Sequence, residues 1–491
     1  MFSKRVLIFF ALITVNQLTQ AAWTSAHGDS ANTGFARVDT ALAISPKQFA
    51  QLGPLAPGAN PVIGADGTVY VGNLTGQVLA FHPNGLPAWT RQLGSNHGAI
   101  YASPVIGADG SVYVVSTVQI RDHRNGSQGT HYKSWLHKFT TSGGWLFVAP
   151  FPEQFAAYPA YAGSGATTAP PNIWTSNGTE VIMVPVVYKG PYGRDLRLIA
   201  FSTNGSVLAN QRVTYTGYEV TGGSGLPSWF VTCYAMTWYF PAFCITAAYV
   251  NGDCCGFSVG TGDPLQGAGW ALPGAAIWQN PNGGTPWIMV SDGEKNLVGY
   301  TFSLSTGFFE YIRTNDTKRK HTSPPVVLPD GHTVLGTDDG RLTFNGPNLV
   351  SVAPAANLDA ITAAPTRLAD GRLVIIARSG LMSVLNGNHI ASQTQLTGAS
   401  IASAAASCNH LFVASTDEFV TYDPRNMTAI AHVPWVGGGR AAPVIGPSGY
   451  VYAIASNSLF VFPPPKTSRI DSALGRNSCD RSVFDGAMRL R

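Results

Sequence analysis

Short runs of alternating apolar and β-branched residues, broken at regular intervals by Asp-Gly, set the pattern of this chain. The run Pro61-Val-Ile-Gly-Ala-Asp-Gly-Thr-Val-Tyr-Val-Gly returns from Pro104 as Pro-Val-Ile-Gly-Ala-Asp-Gly-Ser-Val-Tyr-Val-Val. The apolar runs predict strands, and Asp-Gly predicts a two-residue hairpin turn whose central residues take positive φ. A second turn, at Thr75-Gly76, Asp339-Gly340 and Ser379-Gly380, leads to a third strand. That strand reads Val78-Leu-Ala-Phe81 in the first copy and Leu459-Phe-Val-Phe462 in the last.

Further copies start at Pro325, Pro365, Ala405 and Pro443. Their turn positions, 331, 371, 409 and 449, are 40, 38 and 40 residues apart. Asn177-Gly-Thr-Glu-Val-Ile-Met-Val and Pro286-Trp-Ile-Met-Val-Ser-Asp-Gly keep the two-strand core in the middle of the chain, and a doubtful ninth copy runs between Phe243 and Trp270. A unit this small cannot bury its faces alone, and radial stacking of about 40-residue units is the β-propeller solution. The expectation is an all-β propeller of eight blades, the ninth copy being an elaboration of its neighbour; seven blades is the alternative. The last copy runs out of chain soon after its third strand. Residues 22–36 are therefore expected to complete it and close the ring with an N-terminal strand.

Composition agrees with many short strands and turns: 54 glycines, 33 prolines and only 11% charged residues in a chain of 491. Residues 1–21 carry Lys4 and Arg5, then the apolar run Val6–Val15, then Ala21-Ala22, the pattern of a signal peptide. The implied organisation is a signal peptide (1–21), one propeller domain (22–465) and a polar C-terminal tail (466–491). The implied location is secreted, or periplasmic in a bacterium. No cysteine follows the leader's apolar core, so a lipid anchor is not expected. The formal charge of +4 is peripheral: Lys4 and Arg5 lie in the leader, and residues 466–491 hold six Lys/Arg against three Asp/Glu, leaving the body at −1. That balance excludes a nucleic-acid surface. The uncharged stretch Trp229–Val250 contains Pro241 and β-branched residues, which favours buried strands over a membrane span. A monomer is expected.

The six cysteines, Cys233, Cys244, Cys254, Cys255, Cys408 and Cys479, form an even set in a secreted chain. The first four are expected to pair among themselves with open connectivity, which leaves Cys408 for Cys479; a free or intermolecular Cys479 is the alternative. Six glycosylation sequons begin at Asn73, Asn125, Asn177, Asn204, Asn315 and Asn426.

The repeat Pro-Val-Ile-x-x-Asp-Gly-x-Val-Tyr-Val-Gly, followed by Gly-x-Val-Leu-Ala-Phe and Trp89, resembles the PQQ-like repeat of quinoprotein alcohol dehydrogenases. The opening Trp23, His27-Gly-Asp and Asn32-Thr-Gly resemble the entry motif of such chains. The resemblance spans about 22–465. It implies an axial site in which PQQ packs against a ring of two adjacent cysteines beside a calcium ion and an Asp base. Cys254-Cys255 is such a pair, yet it follows Tyr249-Val-Asn-Gly-Asp at the start of a third strand rather than preceding a blade's inner strands. Two separate structural disulfides are the preferred reading.

Residues expected near the axis are Asn60, Ser103, Thr168, Ser323, Thr362, Ser403 and Ala442, with Arg440 the nearest charge. Alcohol oxidation needs a carboxylate base beside a metal, and Asp338, Asp339 and Asp359 do not assemble one by spacing. Asp122, His123, His131 and His137 in the second blade fit no standard metal spacing and read as a solvated loop. The aromatics Trp229, Phe230, Tyr234, Trp238, Tyr239 and Phe240 read as blade filler, with a stacking platform as the alternative. The leading functional expectation is a non-catalytic binding or scaffold module for protein or carbohydrate ligands on one propeller face, without catalytic, cofactor or metal residues. The alternatives are a PQQ- and calcium-dependent dehydrogenase, and a hydrolase or lyase with an unrecognised axial site.

Overall fold

The computed structural model describes residues 23–94, 97–122, 129–154, 165–190, 193–217, 274–279, 284–346, 351–355, 358–387, 389–464 and 479. Among these residues there are 32 strands, arranged as eight four-stranded antiparallel sheets. We label the strands of each blade A to D from the axis outward. Seven blades are contiguous in sequence, at residues 62–92, 105–150, 172–217, 275–316, 326–355, 366–395 and 405–434. The eighth takes strands A to C from residues 444–462 and strand D from Lys47–Gln51, which pairs antiparallel with Ser458–Phe462. The fold is an eight-bladed propeller closed by an N-terminal strand. The closing strand is 47–51, however, and not 22–36.

The Asp-Gly turns differ in detail from a two-residue hairpin. Gly67 has φ +83° and donates its N–H to Gly64 O, while Gly64 N–H bonds Thr68 O. Asp66 keeps negative φ and its carboxylate accepts from Thr68 N–H at 2.9 Å. One αL glycine after a tight turn, with an Asx cap, therefore replaces two positive-φ residues. The same cap recurs from Asp109 to Ser111, Asp330 to His332 and Asp370 to Arg372.

Blade faces bury their apolar side chains pairwise. Val62, Tyr70 and Val78 of blade 1 meet Ile106, Val112 and Phe139 of blade 2, and Trp174, Met183 and Leu198 of blade 3 meet Ile277, Val290 and Phe302 of blade 4. The seam between the ends of the chain is the largest such cluster, joining Phe412 and Phe419 of blade 7, Tyr452 and Phe462 of blade 8, and Ile63 and Val71 of blade 1. No helix among the described residues is long and apolar enough to cross a membrane.

Candidate functional site: the propeller axis and its elaborated face

The axis is filled by the chain itself. An inner strand has no neighbour on its axial side, so a buried backbone N–H there needs another partner. Residues 23–36 supply one. Trp23 O accepts from Ile63 N–H, Thr24 O from Ile106, Ser30 O from Ile277, Ala31 O from Val327, Thr33 O from Arg367 and Gly34 O from Ala406, at 2.7–2.9 Å. The donor is the second residue of strand A in five blades and the third, Ile277, in blade 4, and the blades are visited in ring order. Asn172 of blade 3 adds its Nδ2, also bonded to Ser30 O.

Side chains lock this axial segment. Asn32, at φ 62°, donates Nδ2 to Ala275 O and Pro325 O, and Asn60 donates Nδ2 to Ala26 O. Asp29 accepts from Ala31 N–H, Thr33 N–H and Thr33 Oγ1. Burial raises its carboxyl above the usual range, against these bonds and the nearby Arg367 guanidinium. Burial also pushes the His27 imidazole down to about 4. From Val38 onward the chain crosses the turn of blade 7: Val38 O accepts from Cys408 N–H, and Thr40 bonds Asn409 and Ser407. Cys408 is also joined by a disulfide to Cys479, so both ends of the chain meet at this turn.

Of the small polar residues expected at the axis, Asn60, Ser103 and Ser403 link neighbouring blades, and Ser323 bonds within blade 5. Ser103 Oγ accepts from Asn60 N–H, Ser403 Oγ from Ala364 N–H, Ser323 Oγ from Gly336 N–H, and Asn60 Oδ1 from Ala442 N–H. Arg440 gives its carbonyl to Gly58 N–H, and its buried Nε has no protein partner. Asp339 is spent on Arg319 and Thr337, and Asp359 on the N–H groups of Ala360 and Ser379. Among the described residues no three His, Cys, Asp or Glu side chains converge as metal ligands. Cys233, Cys244, Cys254, Cys255 and the aromatics of 229–240 lie outside the described residues.

Among the described residues the longest hairpins lie on one face. B–C and D–A connections leave a blade on the same side, and in blades 2 and 3 the B–C hairpins are far longer than elsewhere. Val112–Asp122 pairs with Gly129–Phe139 over 11 residues, and Thr179–Gly190 runs alongside Gly193–Ser202. Other B strands have four or five residues, so each hairpin projects about 20 Å at about 3.3 Å per residue. The blade 3 hairpin is braced by Asp195, fully buried, which bonds Arg197 at 2.8 Å and Arg212 on strand D at 3.0 Å.

Of the second-blade residues read as a solvated loop, Asp122, His131 and His137 lie on strands, and His137 is fully buried. His131 lies opposite Ile120 and His137 opposite Val114, six residues apart on one strand, about 20 Å; His123 lies outside the described residues. His137 instead faces His97, which the sequence did not single out. Among the sequons, Asn177, Asn204 and Asn426 sit exposed in turns and Asn315 is half-buried, while Asn125 lies outside the described residues. Asn73 is fully buried, and its Nδ2 donates to Leu52 O and Gln77 Oε1. It presents no acceptor nitrogen in the folded chain, because Asn-Leu-Thr serves here as a turn cap.

No protein-family model matches the chain, and no curated protein matches it. Solved structures do. A quinohemoprotein alcohol dehydrogenase from Comamonas testosteroni superposes with TM-score 0.57 at 12% identity, covering 93% of this chain and 83% of that one. The quinohemoprotein alcohol dehydrogenase ADHIIG from Pseudomonas putida HK5 gives 0.56 at 12%, covering 92% and 81%. Sqt1 of Saccharomyces cerevisiae gives 0.51 at 9%, covering 87% and 100%. At such identities the likeness shows the fold alone, an eight-bladed β-propeller.

Proposed function

We propose that this protein is a non-catalytic binding or scaffold module that takes protein or carbohydrate ligands on its elaborated face. The observation that carries the reading is the division of labour between axis and face. Residues 23–36 satisfy the inner strands, so the axis holds the ring together. The long hairpins of blades 2 and 3 project on one side of it. Propellers present variable loops on a rigid body, and ligand specificity resides in the loops. The outer strands of blades 2 to 4 expose Trp145, Leu146, Val148, Val207, Leu208, Phe308 and Tyr311. These side chains lie on the rim of the ring, not on the elaborated face.

The second reading, a PQQ- and calcium-dependent dehydrogenase, draws on Arg440, whose unpartnered Nε could hold a carboxylate. It lacks a converging set of metal ligands among the described residues. Shortening the blade 2 hairpin, with 118–133 replaced by a two-residue turn, tests the proposal. Retained folding with loss of a ligand identified by glycan array or cross-linking supports it. Unchanged binding by the shortened protein contradicts it.

A further inference from the structure

We propose that His97 and His137 form a binding site for a first-row transition-metal ion, copper(II) or zinc(II), held through their two Nδ1 atoms. The residues come from different parts of the chain, the connection from blade 1 to blade 2 and strand C of blade 2, and meet edge-on with ring centroids 5.3 Å apart. Two imidazoles bound to one tetrahedral ion stand about 5 Å apart, centre to centre, given metal–nitrogen bonds of about 2.0–2.1 Å. Both Nδ1 atoms are buried, and neither has a protein hydrogen-bond partner. Buried polar atoms left without a partner are destabilising, and a shared ion would satisfy both.

The surroundings orient both rings. His137 is fully buried and its Nε2 bonds Ser116 Oγ at 2.8 Å. With Nε2–H donated to that hydroxyl, the lone pair sits on Nδ1, the arrangement of a metal-ligating histidine with its outer partner. His97 is pinned by its neighbours: Ala99 and Thr117 exchange two backbone hydrogen bonds, and a Cβ on Gly98 would meet Thr117 O at 2.1 Å. Trp135 and Trp145 wall the pair at 4.9 and 6.3 Å from the His97 ring, and aromatic faces tolerate a nearby cation. His97 is only partly buried, so water can complete the coordination. Two imidazoles with no carboxylate suit copper and zinc rather than calcium or magnesium, with copper the tighter.

The test is calorimetric titration of untagged, chelator-treated protein with Cu²⁺ and with Zn²⁺. One ion per chain is expected, copper tighter than zinc, with quenching of tryptophan fluorescence by copper. His97→Ala, a substitution in a connection, should keep the fold and abolish this binding. Ser116→Ala should weaken it about tenfold while leaving both ligands in place. Copper and zinc binding unchanged in His97→Ala would mean an adventitious ion only, and overturns the site. Absence of saturable binding in the parent protein overturns it equally.

Discussion

The side-chain oxygen of Asn60 accepts a hydrogen bond from the backbone N–H of Ala442 at 2.7 Å, joining the entrance of the first blade to that of the eighth. The same residue donates its own N–H to Ser103 and its Nδ2 to Ala26 O. One asparagine thus ties blade 8, blade 2 and the axial segment together. Asn60→Ala leaves buried backbone groups of Ala442 and Ala26 unpaired, and should cost about 2–4 kcal/mol in chemical denaturation. A loss under about 0.5 kcal/mol, the range of an ordinary surface substitution, would show that the ring closes without this link.

The axial segment and the closing strand do separate things, and deletions should separate them. Loss of 47–51 uncovers an edge of blade 8, so self-association measured by light scattering should rise. Trp23→Ala opens a cavity in the apolar seam between the ends of the chain and should cost about 3–5 kcal/mol without association. Equal association in the two variants would contradict this assignment.

Acid should destabilise the fold through buried imidazoles, among them His27 and His321. Burial lowers His27 and His321 to about 4 from an ordinary 6.5. Below pH 6.5 the unfolded chain binds protons that the folded chain refuses, so stability present above pH 6.5 falls as pH drops toward 4. The slope for two groups is about 3 kcal/mol per pH unit. Asp29, with its carboxyl raised, acts oppositely: its buried charge costs stability at neutral pH, and protonation relieves that cost at the acid end. His27→Gln should flatten the acid limb of the stability curve; an unchanged limb argues that His27 does not titrate with unfolding.

The bond from Cys408 to Cys479 spans 71 residues. In the chain-entropy model such a loop contributes about 4 kcal/mol. Cys408→Ser should lower stability by up to that amount, and non-reducing peptide mapping of the parent should recover the linked pair. An alkylatable Cys479 in native protein contradicts it.

The blades were legible because their signal is local: Asp66-Gly67 and its copies mark a turn wherever they occur, and flanking alternation sets the strands. The axial segment was not, since residues 23–36 bond six blades through backbone carbonyls, and carbonyls leave no residue-type signature. Lys47-Gln-Phe-Ala-Gln51 escaped for a related reason, as a single outer strand carries little apolar pattern. Ser103 and Ser403 were placed at the axis correctly, yet their partners lie in neighbouring blades. Asn73 shows the opposite failure, a sequon motif whose residues the fold uses as a buried cap. His97 has no local signal at all, because its counterpart His137 is 40 residues away.

Reconstitution of purified protein with PQQ and Ca²⁺ tests the central claim most directly, read by absorbance and by alcohol-dependent dye reduction. A binding module whose axis serves its own ring should acquire no stoichiometric quinone chromophore and reduce no dye. A bound quinone spectrum with substrate-dependent dye reduction would contradict the account and make the axis a catalytic site.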